Sequence, residues 1–324
     1  MKLGRNEAIF VLLCALAACS DQTFAAGGDA GADGGSDAST TNDGGVDGSS
    51  GACAWDAPFG APELVTDLTG SPVLGFVRLS NDELEIVATG STADTSLHLF
   101  SAARASASAS FPALALISNV NAFDAGADGG HDSDDVGTFS ADRTTLLFNS
   151  NRVGGPGAYD IYEATRTQVP GDFGTPSLVA NVNSAGDDVH PFLAFDGSEL
   201  YFSSSRAGSL DIYRASVAGG GFGSPSPVNE LNSAGIDQVP VLSSDGLTIY
   251  IASDRGAPSV GMAVYVAHRT STTRFFTTPV LASELVTTET TLPAWLSADN
   301  CTLYLTRATA GMSNLAVWVA RRSP

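Results

Sequence analysis

A unit of about fifty residues recurs five times along this chain, and no other feature restricts the possible folds as much. Each unit carries a turn after a serine-containing strand: Leu79-Ser80-Asn81-Asp82, Phe139-Ser140-Ala141-Asp142, Ala194-Phe195-Asp196-Gly197, Ser243-Ser244-Asp245-Gly246 and Ser297-Ala298-Asp299-Asn300. The turn aspartates are 49 to 60 residues apart, and a large strand residue follows each by five: Val87, Leu147, Tyr201, Tyr250 and Tyr304. A second large ring comes later in each unit, at Phe100, Tyr162, Tyr213, Tyr265 and Trp318, mostly followed by Ala-x-Arg. Between units lies Phe-x-x-Pro, at Phe59, Phe173, Phe222 and Phe276, with a degenerate version at Phe111-Pro112. Four short β-branched or aromatic runs per unit, separated by Asp/Gly/Ser/Asn turns, predict antiparallel strands and no sustained helix. Repeated radially, such units make an all-β β-propeller, here of five blades with four strands each.

Units two to four also resemble the TolB-type WD-like β-propeller repeat. The resemblance rests on Asp196-Gly197, Leu200-Tyr201-Phe202-Ser203-Ser204, Arg206 and Asp211-Ile212-Tyr213, with Asn183-Ser184 ahead of Asp188 and Pro191, and Asn232-Ser233 ahead of Asp237 and Pro240. It covers about residues 55 to 322 and fades at both ends: unit one lacks the Asp-Gly and the Arg, and unit five has Ala316-Val317-Trp318. It implies a propeller and association with a cell envelope. TolB itself has six blades, so six is the alternative count if the first unit or the segment from Asp124 to Asp135 hides extra strands.

The repeat region begins with a Phe-x-x-Pro strand at Phe59 and ends with the third strand of a unit at Trp318. Five complete sets therefore require the first and last segments to share a blade, a clasp that leaves no open edge between blades. In the usual blade order Cys53 and Cys301 fall at the same end of that blade. A disulfide between them would lock the clasp; two free thiols are the alternative.

Ahead of the repeats, Lys2 and Arg5 precede an apolar run from Ala8 and the tetrad Leu16-Ala17-Ala18-Cys19. The run is too short to span a bilayer and reads as a secretory signal over residues 1–18. The tetrad resembles the bacterial lipobox, which implies that Cys19 is acylated and that the mature protein is lipid-anchored to the envelope, with Ser20 resembling the outer-membrane sorting pattern. Residues 19–52 are rich in Gly, Ala, Ser, Thr and Asp and read as a tether averaging about 30 Å in span. The domains are then a signal (1–18), a tether (19–52) and the propeller (53–324).

The chain carries a formal net charge of −20, and no lysine follows Lys2. Acidity of this degree argues against nucleic acid and against adhesion to anionic lipid. Asp134, Asp188 and Asp237 stand eight residues before the turn aspartate, at one mouth of the expected channel, with Leu74 and Thr290 read at that place in units one and five. They are the candidate ligand-binding residues, for a cation such as Ca2+ or for a sugar; loop-capping by the same carboxylates is the competing reading. Arg152 with Asp160, and Arg206 with Asp211, read as turn-stabilising pairs. The loop from Asp124 to Asp135, including His131, reads as solvated, with a metal loop as the alternative.

Signatures of catalysis are sparse. His98, His131, His190 and His268 are scattered, and no Gly-x-Ser-x-Gly elbow occurs. The expectation is a binding or scaffolding module engaging an envelope protein, polysaccharide or peptidoglycan-associated partner, without a catalytic residue and without a cofactor other than Ca2+. Two alternatives stand beside it: a calcium-stabilised structural lipoprotein, and a glycan-processing enzyme using carboxylates among Asp134, Asp188, Asp237 and Glu289.

Overall fold

The computed structural model describes residues 53–54, 57–66, 68, 74–91, 96–122, 132–256, 261–308 and 315–323. Cys19, the signal over 1–18 and the tether over 19–52 lie outside the described residues, as do residues 124–131 of the acidic loop with His131.

The described strands form five separate sheets. After β1 (Glu63–Leu64) come β2 (Leu74–Leu79), β3 (Glu85–Ser91), β4 (Leu97–Ala103) and β5 (Ala115–Leu116) as blade 1, then β6 (Asp134–Phe139), β7 (Thr145–Ser150), β8 (Asp160–Thr165) and β9 (Ser177–Leu178) as blade 2. Blade 3 holds β10 (Asp188–Leu193), β11 (Glu199–Ser204), β12 (Asp211–Ala218), the short hairpin partner β13 (Gly221–Phe222) and β14 (Ser226–Pro227). Blade 4 holds β15 (Asp237–Leu242), β16 (Thr248–Ser253), β17 (Ala263–His268) and β18 (Val280–Leu281), and blade 5 holds β19 (Thr291–Leu296), β20 (Thr302–Ala308) and β21 (Leu315–Arg321). All pairings are antiparallel, and β1 completes blade 5 by pairing with β21 at Glu63↔Val319 and Leu64↔Trp318. The innermost strands β2, β6, β10, β15 and β19 touch one another in sequence round the ring, β19 returning to β2. The architecture is a five-bladed β-propeller closed by its N-terminal strand. Each outermost strand is two residues long, which leaves little edge for pairing with another chain.

The recurring turn has a local cause. In units one, two, four and five the aspartate accepts a hydrogen bond from the serine two residues before it (Ser80 to Asp82, 2.6 Å; Ser243 to Asp245, 2.5 Å), and in all five from the backbone N–H two residues after it (Leu84, 3.1 Å; Leu247, 2.9 Å). The next residue takes a left-handed backbone, φ 70° at Gly197 and 67° at Gly246, which is why Asp-Gly marks the repeat; Glu83, Arg143 and Asn300 adopt the same conformation at φ 60°.

The Ala-x-Arg and Phe-x-x-Pro signals meet in space. The guanidinium of Arg104 lies 4.4 Å from the ring centre of Phe111, Arg166 4.4 Å from Phe173, Arg269 4.4 Å from Phe276 and Arg322 4.1 Å from Phe59. Each arginine also donates from Nε to the carbonyl of the left-handed turn residue, Glu83, Arg143, Gly246 or Asn300. A lysine has neither the planar face nor the directed fork for this double task. Arg322 and Phe59 perform it across the closure, joining the end of the ring to its beginning. Cys53 and Cys301 are joined by a disulfide in the same clasp, 248 residues apart in sequence.

Candidate functional site at the channel mouth and wall

Asp134, Asp188 and Asp237 open the innermost strands of blades 2, 3 and 4, so all three stand at the same mouth of the channel. None is exposed. Oδ1 of each accepts from an arginine Nη2: Arg152 for Asp134 (2.5 Å), Arg206 for Asp188 (2.6 Å) and Arg255 for Asp237. Oδ2 accepts a backbone N–H from the preceding loop, Ala122 at 2.7 Å, Ser184 at 2.5 Å and Ser233 at 2.5 Å. The same Nη2 atoms donate to the carbonyls of Val120, Val182 and Leu231. Each Nε donates to a serine hydroxyl at the end of the second strand: Ser150, Ser204 or Ser253. The guanidinium then covers the third-strand aromatic ring, at 4.9 Å for Arg152 over Tyr162, 4.8 Å for Arg206 over Tyr213 and 5.5 Å for Arg255 over Tyr265. In this arrangement both oxygens of every mouth carboxylate bind a loop to its blade.

Two pairings expected from sequence are corrected. Arg152 meets Asp134 and not Asp160, and Arg206 meets Asp188 and not Asp211, because strand pairing sets Asp134 opposite Ser150 and Asp188 opposite Ser204, two residues from each arginine. Asp160 instead accepts the N–H of Gly157 (3.1 Å). In blade 5 the place of the mouth aspartate belongs to Thr291, one residue beyond Thr290, since Thr291 opens β19 opposite Arg307.

Two further carboxylates stand in this region: Asp160, read from sequence only as a partner of Arg152, and Asp187, which sequence reading did not single out. Burial pushes the Asp160 carboxyl up to about 6, against the Gly157 N–H, with Asp188 and Asp187 adding to the rise. Burial raises Asp187 as well, with Asp188 contributing, although the N–H of Tyr159 bonds to it. Among the described residues no group of three His, Cys, Asp or Glu side chains is disposed to hold a metal ion.

Below the mouth the wall is irregular. The innermost strands of blades 2, 3 and 4 bulge at Val136, His190 and Val239, whose φ values are 46°, 56° and 55°. That region is hostile to β-branched residues, so the bulges at Val136 and Val239 are strained, whereas histidine tolerates it better. Each bulged N–H donates to a side chain of the preceding blade: Thr89 Oγ1 (3.0 Å), Asn149 Oδ1 (3.0 Å) and Ser203 Oγ (3.1 Å). Between blades 4 and 5 the corresponding residues are Ala252, which has no acceptor, and Pro293, which has no N–H to satisfy. At the closure Thr306 donates to the carbonyl of Gly75 at 2.6 Å.

Phe76, Val136, Val239, Leu292 and Ala294 pack together with Met262, filling the ring at that level with apolar side chains from four innermost strands. Arg78 crosses the centre from blade 1. Its Nε donates to Ala294 O (3.0 Å) of blade 5, its Nη1 donates to Pro191 O of blade 3, and its guanidinium lies 5.2 Å from the Phe192 ring centre. Burial pulls the Arg78 pKa down to about 9 despite the nearby Asp135, and burial pushes Asp135 up to about 6 despite bonds from Thr89 and the Val136 N–H. Burial, with Arg78 adding to it, holds His190 down at about 3.

His190 makes the fold acid-sensitive. An unfolded histidine takes up its proton near pH 6.5 and the folded one only near 3, so its contribution is complete above 6.5 and is lost as pH falls, up to about 5 kcal/mol. Asp135 acts in the opposite sense, favouring the fold below about pH 4 and losing that advantage as pH rises through 6. Between about pH 6 and 4 the two slopes are equal and opposite, and Asp160, also raised to about 6, adds to the Asp135 side. Denaturant midpoints measured from about pH 6.5 to 4 should therefore rise more with acidification in His190→Gln than in the wild type; parallel slopes for the two proteins would overturn the assignment.

No family model matches the chain, and no curated protein matches it in sequence. Among solved structures it is similar to TolB from Acinetobacter baumannii (15% identity, 78% of this chain and 56% of that one, TM-score 0.43). It is also similar to a putative TolB from Agrobacterium tumefaciens (15%, 83% and 91%, TM-score 0.46) and to an α-L-arabinofuranosidase from Podospora anserina (10%, 83% and 97%, TM-score 0.49). The chain thus spans a little over half the length of the Acinetobacter protein.

Proposed function

We propose that this propeller is a binding or scaffolding module of the cell envelope, lipid-anchored through Cys19 and held off the membrane by the 19–52 tether. The observation that carries the reading is the state of the mouth carboxylates. A catalytic or cation-binding carboxylate must reach its ligand, whereas Asp134, Asp188 and Asp237 are fully buried, with both oxygens of each already bonded to arginine and backbone N–H groups. A cleft of about 440 Å3 opens on the opposite face at the seam between blades 5 and 1, lined by Leu64, Phe111, Trp295, Tyr304, Arg104 and Arg321 among others. Apolar rings flanked by charged side chains suit an envelope protein segment or polymer. Of these six, Leu64 and Arg321 are exposed. Photo-crosslinking of the full chain in solubilised envelopes should capture a partner, and Leu64→Asp with Arg321→Glu should reduce capture at least about tenfold, the effect of about 1.4 kcal/mol of lost binding. Undiminished capture would remove the cleft from the reading.

A further inference from the structure

Blade 5 keeps the arginine of the mouth clamp but lacks its carboxylate. Thr291 occupies the strand position of Asp188, and Arg307 the position of Ser204, by the pairing register. The guanidinium of Arg307 nevertheless covers Trp318, the counterpart of Tyr213, at the same 4.8 Å found for Arg206 over Tyr213. The charge therefore sits at the clamp position although it comes from two residues earlier in the strand.

The loop in front of it is also preserved. In blade 3 Ser184 Oγ accepts the Gly186 N–H at 3.2 Å and donates to Asp188 at 2.9 Å. In blade 5 Thr287 Oγ1 accepts the Glu289 N–H at 3.2 Å and lies 3.4 Å from Thr291 Oγ1. The difference lies in the partners of the guanidinium. Nε of Arg206 has a serine hydroxyl and Nη2 has a carboxylate oxygen; Nε and Nη2 of Arg307 are buried and have no hydrogen-bond partner, in a side chain of a residue 5% exposed. The indole N–H of Trp318, beneath it, is likewise buried and unpartnered. Arginine and indole nitrogens only donate, so this set of three N–H groups calls for an acceptor, and leaving buried donors unsatisfied is costly.

We propose that Arg307, with Trp318, forms a binding site for a small carboxylate, the ligand's carboxyl group taking the place that the aspartate side chain fills in blades 2 to 4. A carboxylate is favoured over a larger tetrahedral anion because the neighbouring blades hold a carboxylate in the same frame of arginine, loop and ring. Arg307 supplies a charge-assisted pair of donors, Thr291 brings a hydroxyl and no carboxylate to the position where the aspartate would stand, and Glu289 is the nearby acidic group that opposes entry. The site lies at the channel mouth, in the blade next to the Asp237–Arg255 clamp, and does not depend on the seam cleft or on any partner bound there.

Thermal melting of the full chain at constant ionic strength tests the site, with sodium acetate as probe and chloride and phosphate as controls. Acetate at ten times its dissociation constant should raise the midpoint by about 3 °C, and chloride should not. Thr291→Asp supplies the carboxylate from within the chain; it should raise the midpoint without ligand and abolish the acetate response. Arg307→Gln should abolish the response as well, and Glu289→Gln should tighten acetate binding several-fold. An acetate response that survives in both Thr291→Asp and Arg307→Gln, or its absence in the wild type together with no gain in Thr291→Asp, would overturn the proposal. A larger rise with phosphate than with acetate, lost in Arg307→Gln, would overturn the carboxylate assignment.

Discussion

Reduction of the Cys53–Cys301 disulfide is expected to destabilise the propeller by about 4 to 5 kcal/mol, because the bond closes a chain segment whose ends are 248 residues apart. The loss should be large because the rest of the clasp is slight. β1 contributes two residues of pairing with β21, supplemented by the Phe59↔Arg322 bridge, the Gly60 N–H to Arg321 O bond (2.8 Å) and the Ala54 N–H to Ser323 O bond (3.2 Å). Without the cross-link those contacts must offset the full entropy of returning the N-terminal segment to the ring. Guanidinium unfolding with and without reductant, and of Cys301→Ser, gives the measurement. A midpoint that moves by less than the equivalent of about 1 kcal/mol would show that the backbone contacts close the ring unaided.

Arg206→Ala should cost about 3 to 5 kcal/mol, the range for breaking a buried ion pair by removing one partner. The Asp188 carboxylate has no exposure and would keep only the bonds from Ser184. The Val182 carbonyl and the Tyr213 ring would lose their contacts at the same time. Arg206→Lys should recover only part of the loss, since an ammonium cannot serve Ser204, Val182 and Asp188 while covering the ring. In a double-mutant cycle Asp188→Asn should relieve part of the penalty in the Arg206→Ala background, with a coupling above about 1 kcal/mol. Independent effects of the two substitutions would mean that the clamp is not a unit.

Asp-Gly turns, alternating strands and a third-strand residue at the chain's end made the blades and their closure legible in the sequence, because each signal is local and recurs. The clamp partners were misread because Arg152 and Arg206 were matched to the next aspartate along the chain, whereas a β-hairpin returns each arginine to the aspartate before it. A constant signal was present: Asp134 to Arg152, Asp188 to Arg206 and Asp237 to Arg255 are all eighteen residues apart. Arg78, Asp135 and His190 gave no such warning. They occur once each at their places in the repeat, and only the closed ring brings blades 1, 2 and 3 to one axis. The Arg307 site was hidden for a related reason, since its guanidinium occupies the clamp position from a displaced residue.

The clasp also fixes how the molecule carries load. Tension arriving along the chain from the N-terminal side reaches Cys53 before it reaches β1, and the disulfide passes it directly to Cys301 at the start of β20. The segment from Cys53 to Leu64, including Phe59 beneath Arg322, is therefore bypassed, and its short pairing with β21 is not pulled open strand from strand. Pulled from that side, the oxidised protein should resist as a bonded ring, and the reduced one should yield first at its two-residue strand.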